Sequence, residues 1–130
     1  MPSEINEAGY QDYRKVVNSS EALPDQWDYI ELRDGSGNPI TRVSITGDSR
    51  AQWTTTASEQ VQQVEIEITG SDSDIDISSG AITIEGSALF TVASGGIARH
   101  EDTMTPATIA NDTDQVIVRH NLKVPHVYPM

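Results

Sequence analysis

The sequence contains no cysteine, which excludes both disulfide bridges and thiolate-ligated metal sites. The fold must therefore be stabilised by the burial of apolar side chains. With 130 residues and 36% hydrophobic content, the chain suits one domain with a modest core.

Long apolar runs are missing as well. No stretch approaches the roughly 18 consecutive apolar residues that a membrane-spanning helix requires. The first residues, MPSEINEAGYQDYRKVV, lack the apolar region of a secretory signal. We therefore expect neither a membrane anchor nor a signal peptide.

Basic residues are scarce. Eight lysines and arginines oppose twenty aspartates and glutamates, which gives a net charge of −12, and Lys15 and Lys123 are the two lysines. Such a surface should repel nucleic acid and anionic membranes, and it would favour a basic partner. The charge balance therefore predicts a protein with no nucleic-acid partner and no membrane partner.

A helix is predicted in one place, from Ser3 to Asn18. Ser3 can cap its N-terminus, and Glu4 and Glu7 lie in the first turns, where the helix dipole favours negative charge. Gly9 leaves room for close packing against another element. One face of this helix would carry the apolar residues Ile5, Tyr13, Val16 and Val17.

From Trp27 onward the sequence is typical of short β-strands separated by turns. WDYIELRD and ITRVSIT flank the turn cluster GSGNP and predict a hairpin. The segment VQQVEIEIT alternates, with Val64, Ile66 and Ile68 on one face. Further strands are predicted around Trp53 and in the segments AITIEG, SALFTVA and QVIVRHNLKV.

The strand and turn signals together predict the fold class. About seven or eight strands follow one helix, with turn signals every 8 to 12 residues or so. Helices do not alternate with the strands, so a doubly wound α/β fold is excluded. We predict a mainly β protein, an antiparallel β-sandwich or jelly-roll-like barrel with one short N-terminal helix. Residues 1–24 would form a helical arm and residues 25–130 the β-sandwich domain.

The segment SDSDIDI, residues 71–77, begins like a calcium-binding loop. In a loop that starts at Asp72, the residues Asp72, Asp74 and Asp76 occupy the first, third and fifth positions, and carboxylate oxygens suit calcium. The sixth position should be glycine but is Ile77, and the twelfth should be glutamate but is Thr83. We therefore interpret the aspartates as the solvated row of a bent strand or hairpin, with a cation contact as the weaker alternative.

Catalytic and metal-ligating patterns are not found. His100-Glu101-Asp102 alternates between the two faces of a strand, so these side chains do not converge by themselves. His120 and His126 lie six residues apart, which is no standard ligand spacing, and no serine lies in a G-x-S-x-G elbow. We interpret the histidines as ordinary surface or partly buried residues, and we predict a protein that is not an enzyme, with no catalytic residue, metal or cofactor.

The two tryptophans, Trp27 and Trp53, belong to a chain in which Phe, Trp and Tyr make up 5% of the residues. Placed on separate strands, they could form a platform that stacks against sugars. In a chain with so few aromatics, however, tryptophans more often anchor the core. Core anchoring is therefore the main expectation, and a carbohydrate site stays open as the alternative.

Two segments resemble parts of small structural proteins of tailed bacteriophages. INEAGYQDYRKVV resembles the short helix, with an n-x-a-G pattern, that opens many of them. GSALFTVASGGIARHEDTMTPATIANDTDQVIVRHNLKV is similar to a strand–turn–strand pattern of phage virion proteins. Its matching parts are a turn at Ser94-Gly95-Gly96, a link from Pro106 through Ile109 to Asp112 or Asp114, and a final strand at Val116-Ile117-Val118.

This resemblance implies a non-enzymatic virion component of β-sandwich architecture. Among such components we favour a capsid decoration, or cement, protein that binds the outer surface of the head and stabilises it. It would be made in the host cytoplasm and located on the capsid surface. Its partners would be the major capsid protein and further copies of itself, as a trimer or dimer. The expected contact residues are Ile5, Tyr10, Tyr13 and Val16.

The alternative is a tail- or neck-associated β-sandwich that acts as a binding module. Such a module could bind carbohydrate, and exposure of Trp27 or Trp53 next to acidic residues would favour it. An enzyme is less well supported than either, because the sequence contains no convergent nucleophile–base or metal constellation.

Overall fold

The structure, a computed structural model, describes residues 4–55 and 61–123. Among these residues, no helix is long and apolar enough to cross a bilayer. The elements of the described ranges are, in chain order, β1 (Glu4–Ile5), α1 (Glu7–Val17), β2 (Tyr29–Arg33), β3 (Pro39–Ser44), β4 (Ala51–Thr55), β5 (Val61–Thr69), β6 (Ile82–Phe90), β7 (His100–Ile109) and β8 (Gln115–Lys123).

The strands form two antiparallel sheets. The five-stranded sheet has the order β1-β7-β6-β2-β3, and the three-stranded sheet has the order β4-β5-β8. The predicted hairpin is present, because β2 pairs with β3 and Ile30 lies opposite Val43. The prediction of a mainly β, sandwich-like fold with one short helix is therefore confirmed. The described strands form two separate sheets, so the architecture is sandwich-like and is not a closed barrel.

The core lies between the two sheets. One cluster of buried apolar residues unites both, with Ile30, Leu32 and Leu89 from the larger sheet and Ile66 and Val118 from the smaller. Burial of one such side chain stabilises the fold by about 1.5–3 kcal/mol. The alternation predicted for β5 is confirmed, because its residues Val64, Ile66 and Ile68 are all fully buried.

Two predicted breaks lie inside strands. AITIEG and SALFTVA were expected as separate strands, but β6 runs continuously through Gly86, where the register with β7 shifts. The first part of the expected link, from Pro106 to Ile109, is likewise part of β7, and Pro106 itself lies in the unpaired stretch of that register shift. Proline fits there because it has no backbone N–H to donate to a ladder. Pairing of β6 with β2 and β7 on both sides outweighs the turn preference of glycine.

The helix begins later than the sequence predicts. Its N-terminal cap is Asn6 rather than Ser3, which lies outside the described residues, and Ile5 belongs to β1 instead of a helix face. The strand forms because its backbone pairs with β7, and the Asn6 N–H donates to the Arg99 carbonyl at 3.0 Å. The boundary at residue 24 stays a prediction, although β1 already belongs to the larger sheet.

The buried side of α1 contains Gly9 and Asp12. A methyl group at Gly9 would lie 2.4 Å from the Arg99 carbonyl oxygen, so only glycine permits this approach. The buried carboxylate of Asp12 accepts hydrogen bonds from Trp27 Nε1 at 2.8 Å and from Arg99 Nε at 3.0 Å. These contacts hold the helix against Trp27 and the segment before β7.

Candidate functional site

A groove of about 460 Å³ brings the two tryptophans together. Trp53 lies in β4, whereas Trp27 precedes β2 instead of lying in a strand as predicted. Both indoles are half-buried, so each keeps part of its surface accessible. We call this site the aromatic groove, and it is lined by Tyr13, Gln26, Trp27, Asp28, Thr46, Trp53, Gln62 and Leu122.

Trp27 is held in a defined orientation. Its indole N–H donates to the buried carboxylate of Asp12, and its ring lies 5.7 Å from the Tyr13 ring, centroid to centroid, at a tilt of 50°. The polar edge of the indole is therefore occupied inside the protein. Part of the ring surface still borders the groove.

The polar groups of the aromatic groove differ in their availability. The Asp28 carboxylate accepts hydrogen bonds from the Ser44 hydroxyl at 2.8 Å and from both the backbone and hydroxyl of Thr46 at 3.1 and 3.0 Å. Within the described part of the chain, Gln26, Gln62 and the Tyr13 hydroxyl make no side-chain hydrogen bond. Burial, and secondarily Tyr10, raises the pKa of Tyr13, so its phenol stays neutral.

The acidic segment at residues 71–77 is not a strand. Residues 71–74 form turns, and residues 75–77 lie outside the described strands. Asp72 and Asp74 converge on the guanidinium of Arg50, at 2.9 and 2.8 Å, and Asp48 joins them at 2.8 Å. The solvated row of aspartates is therefore wrong for two of its three members, because a cationic side chain draws them together.

Asp76, the third of the predicted cation contacts, is exposed and accepts a hydrogen bond from the backbone N–H of Ser78 at 2.9 Å. The sequence did not indicate Asp48, since it lies in a different loop from the other two acids. Hydrogen bonds from Arg50 hold the pKa of Asp48 and of Asp74 below the usual range. In residues 4–55 and 61–123, no three His, Cys, Asp or Glu side chains are arranged to hold a metal ion.

A buried polar chain joins the two sheets. The Ser87 hydroxyl of β6 lies 2.6 Å from His120 Nδ1 of β8, and His120 Nε2 lies 2.7 Å from His100 Nδ1 of β7. Both histidines are almost completely buried, so their interpretation as surface or partly buried residues is wrong. His126 lies outside the described residues. The sequence did contain a signal for this burial, because His120 lies two residues from Val118 and from Leu122, and residues two apart in a strand share a face. All three are buried on the inward face of β8.

The two histidines of this hydrogen-bonded network are neutral. Burial lowers the pKa of His100, and it lowers the pKa of His120 to about 3, with His100 as the second cause. A serine next to a histidine is the arrangement of a nucleophile and its base. Ser87, however, is 4% exposed, and its hydroxyl contacts the fully buried His120 between the sheets. The network therefore satisfies buried polar groups instead of exposing a nucleophile.

The four residues expected to contact a capsid or a second copy differ in their exposure. Ile5 is half-buried against the core, and Tyr13 borders the aromatic groove. Tyr10 and Val16 are 44% and 58% exposed. Val17, expected on the apolar face of the helix, is 85% exposed. Leu23 is also exposed, and we call the set of Tyr10, Val16, Val17 and Leu23 the α1 apolar group.

Compared with protein-family models, curated proteins and solved structures, the chain gives no match in any of the three. The resemblance to phage virion proteins thus rests on the motifs quoted above, and it stays a prediction.

Proposed function

We propose that the protein is a non-enzymatic structural component of a tailed-phage virion, a decoration protein that docks on the outer surface of the head through α1. The partner would be the major capsid protein, together with neighbouring copies of the chain. The motif resemblance motivates the class, and the exposed side of α1 supports the docking element.

The observation that carries the proposal is the α1 apolar group. In the described part of the chain, seven large apolar residues are exposed, and four of them fall between residues 10 and 23. Gly9, Asp12 and Val16 lie on the same face of α1 by helical spacing. Gly9 and Asp12 are buried, whereas the side chain of Val16 is exposed. This concentration of exposed apolar residues in one segment is the reason for choosing α1 and the residues after it as the docking element.

The energetics suit a protein that acts in many copies. Complete burial of one valine or leucine side chain contributes about 1.5–3 kcal/mol. Partial burial of the α1 apolar group would give each copy a few kcal/mol, by the same relation, and repeated contacts around a shell share the load. The net charge of −12 would face water and keep decorated particles apart.

The test uses the double variant Val16→Ser/Val17→Ser. Deleting the helix would uncover Trp27 and remove Asp12, the carboxylate that pairs with Arg99. Val16 and Val17 are exposed and can be changed without opening the core. The matched control is Ile117→Ser, which removes an apolar side chain of 42% exposure from β8.

Each protein is mixed with undecorated capsids from the same genome, sedimented and imaged. We expect regular density at symmetry positions for the wild type and the Ile117 variant, and loss of that density for the double variant. Docking through α1 is wrong if the double variant decorates capsids as the wild type does. A wild type that leaves capsids bare would remove the decoration role itself.

A second candidate is a tail- or neck-associated binding module. The specific observation that favours it is the aromatic groove, which places Trp27 and Trp53 on one accessible surface. This candidate does not require the α1 apolar group, so the two proposals can fail separately.

A further inference from the structure

We propose that the aromatic groove is a binding site for a short neutral saccharide. This inference rests on the second candidate function and is independent of docking through α1. The aromatic surface, the available polar groups and the charge of the lining all favour this one ligand class.

The aromatic surface suits the apolar side of a sugar ring. A pyranose presents C–H groups on its faces and hydroxyls around its rim, and aromatic faces carry the negative charge of the ring quadrupole that attracts such C–H groups. Trp27 and Trp53 both border the groove and are both half-buried. Trp27 is already fixed by Asp12 and Tyr13, so a ligand that stacks on it loses little side-chain entropy.

The available polar groups suit hydroxyls. A primary amide has an acceptor oxygen and two N–H donors, which matches a sugar hydroxyl that both donates and accepts. Gln26 and Gln62 are exposed on the groove and have no side-chain partner in the part of the chain that the structure describes. Tyr13 belongs to the same lining, and its phenol stays protonated and can donate a hydrogen bond.

The charge of the lining selects a neutral ligand. Asp28 is the carboxylate of the groove, and its oxygens already accept three hydrogen bonds from Ser44 and Thr46. No lysine or arginine is among the described lining residues, so an acidic sugar would find no cation. The volume of about 460 Å³ falls within the range of small-molecule sites, about 300–1,000 Å³.

Trp53→Ala is the decisive variant, and Gln52→Ala is its matched control. Gln52 is the neighbouring residue in β4, is exposed and has no place in the groove lining, because successive strand residues point to opposite faces. Trp27 is left intact because its indole N–H satisfies the buried Asp12. It also remains as the fluorescent reporter in the Trp53 variant.

The experiment screens the full chain on an array of neutral and acidic glycans and then titrates the best neutral one by tryptophan fluorescence. We expect saturable binding by the wild type and by Gln52→Ala. Trp53→Ala should weaken it about tenfold or more, and Gln62→Ala by about twofold to tenfold.

Several results would overturn the inference. They are an array without saturable neutral binding, binding of acidic glycans alone, and equal affinities of the wild type and Trp53→Ala. A fluorescence change on dilution without sugar would assign the groove to a second copy of the chain instead. The capsid assay uses different variants, so failure of the sugar site leaves the docking proposal intact.

Discussion

Acidification from pH 7 to about 4.5 should weaken the fold through His120. This side chain is fully buried between the two sheets, where it contacts Ser87 and His100. A proton on His120 would place a cation in the core beside a second imidazole. Glu101 and Asp102 favour a charge on His100, but burial outweighs them and the pKa of His100 is lowered.

The magnitude follows from linkage between proton binding and folding. Burial lowers the pKa of His120 from 6.5 to about 3, so between these values the unfolded chain binds a proton that the folded chain does not. Stability contributed by the neutral imidazole is therefore complete above pH 6.5 and is lost as the pH falls. At about 1.4 kcal/mol per pH unit, the loss reaches roughly 2–3 kcal/mol at pH 4.5 and 4–5 kcal/mol near pH 3.

Carboxylates do not account for the loss in the upper part of this range. Asp48 and Asp74 also have lowered pKa values, with Arg50 as the main cause, so their contribution is lost only as the pH falls below their ordinary value of 3.8. Between pH 6.5 and about 4.5 the change should therefore report the buried histidines.

The assay is urea unfolding followed by circular dichroism at several pH values between 7 and 4.5. His120→Gln keeps hydrogen-bonding capacity but cannot titrate. It should be less stable than the wild type at pH 7 and should show a smaller loss on acidification, with His100 as the remaining contributor. The reasoning is refuted if wild-type stability is constant over this range, or if the variant loses as much stability as the wild type.

Two further predictions concern the ion pairs of Arg50 and the packing of Gly9 in α1. Calcium should leave the melting temperature of the wild type unchanged. Arg50→Gln should lower the free energy of unfolding by about 1–3 kcal/mol, because three aspartates lose their cationic partner, and calcium should then raise the melting temperature of this variant. A variant whose melting temperature does not respond to calcium would contradict this. Gly9→Ala should destabilise the protein by about 1–3 kcal/mol in urea unfolding, because its methyl group would meet the Arg99 carbonyl. Gln11→Ala, on the exposed side of α1, serves as control, and equal stability of the two variants would contradict the packing argument.

Strands were predictable where the burial pattern is local. Alternation in β5 indicated its inward residues Val64, Ile66 and Ile68, and glycine with proline marked the turn between β2 and β3. The start of α1 was not predictable in the same way. Ile5 and Glu7 fit one helical pattern, but backbone pairing with β7 places Ile5 in a strand, and its partner there, His100, lies 95 residues away.

The sequence by itself determined the mainly β class, the acidic surface and the absence of thiol chemistry, since composition and period-two alternation are properties of neighbouring residues. Only the tertiary structure decided which side chains meet. It joined Asp48 to Asp72 and Asp74 through Arg50, paired His100 with His120 across the core and placed Trp27 and Trp53 on one groove. The physical reason is that each of these contacts links segments distant in sequence, whose approach depends on how the two sheets pack.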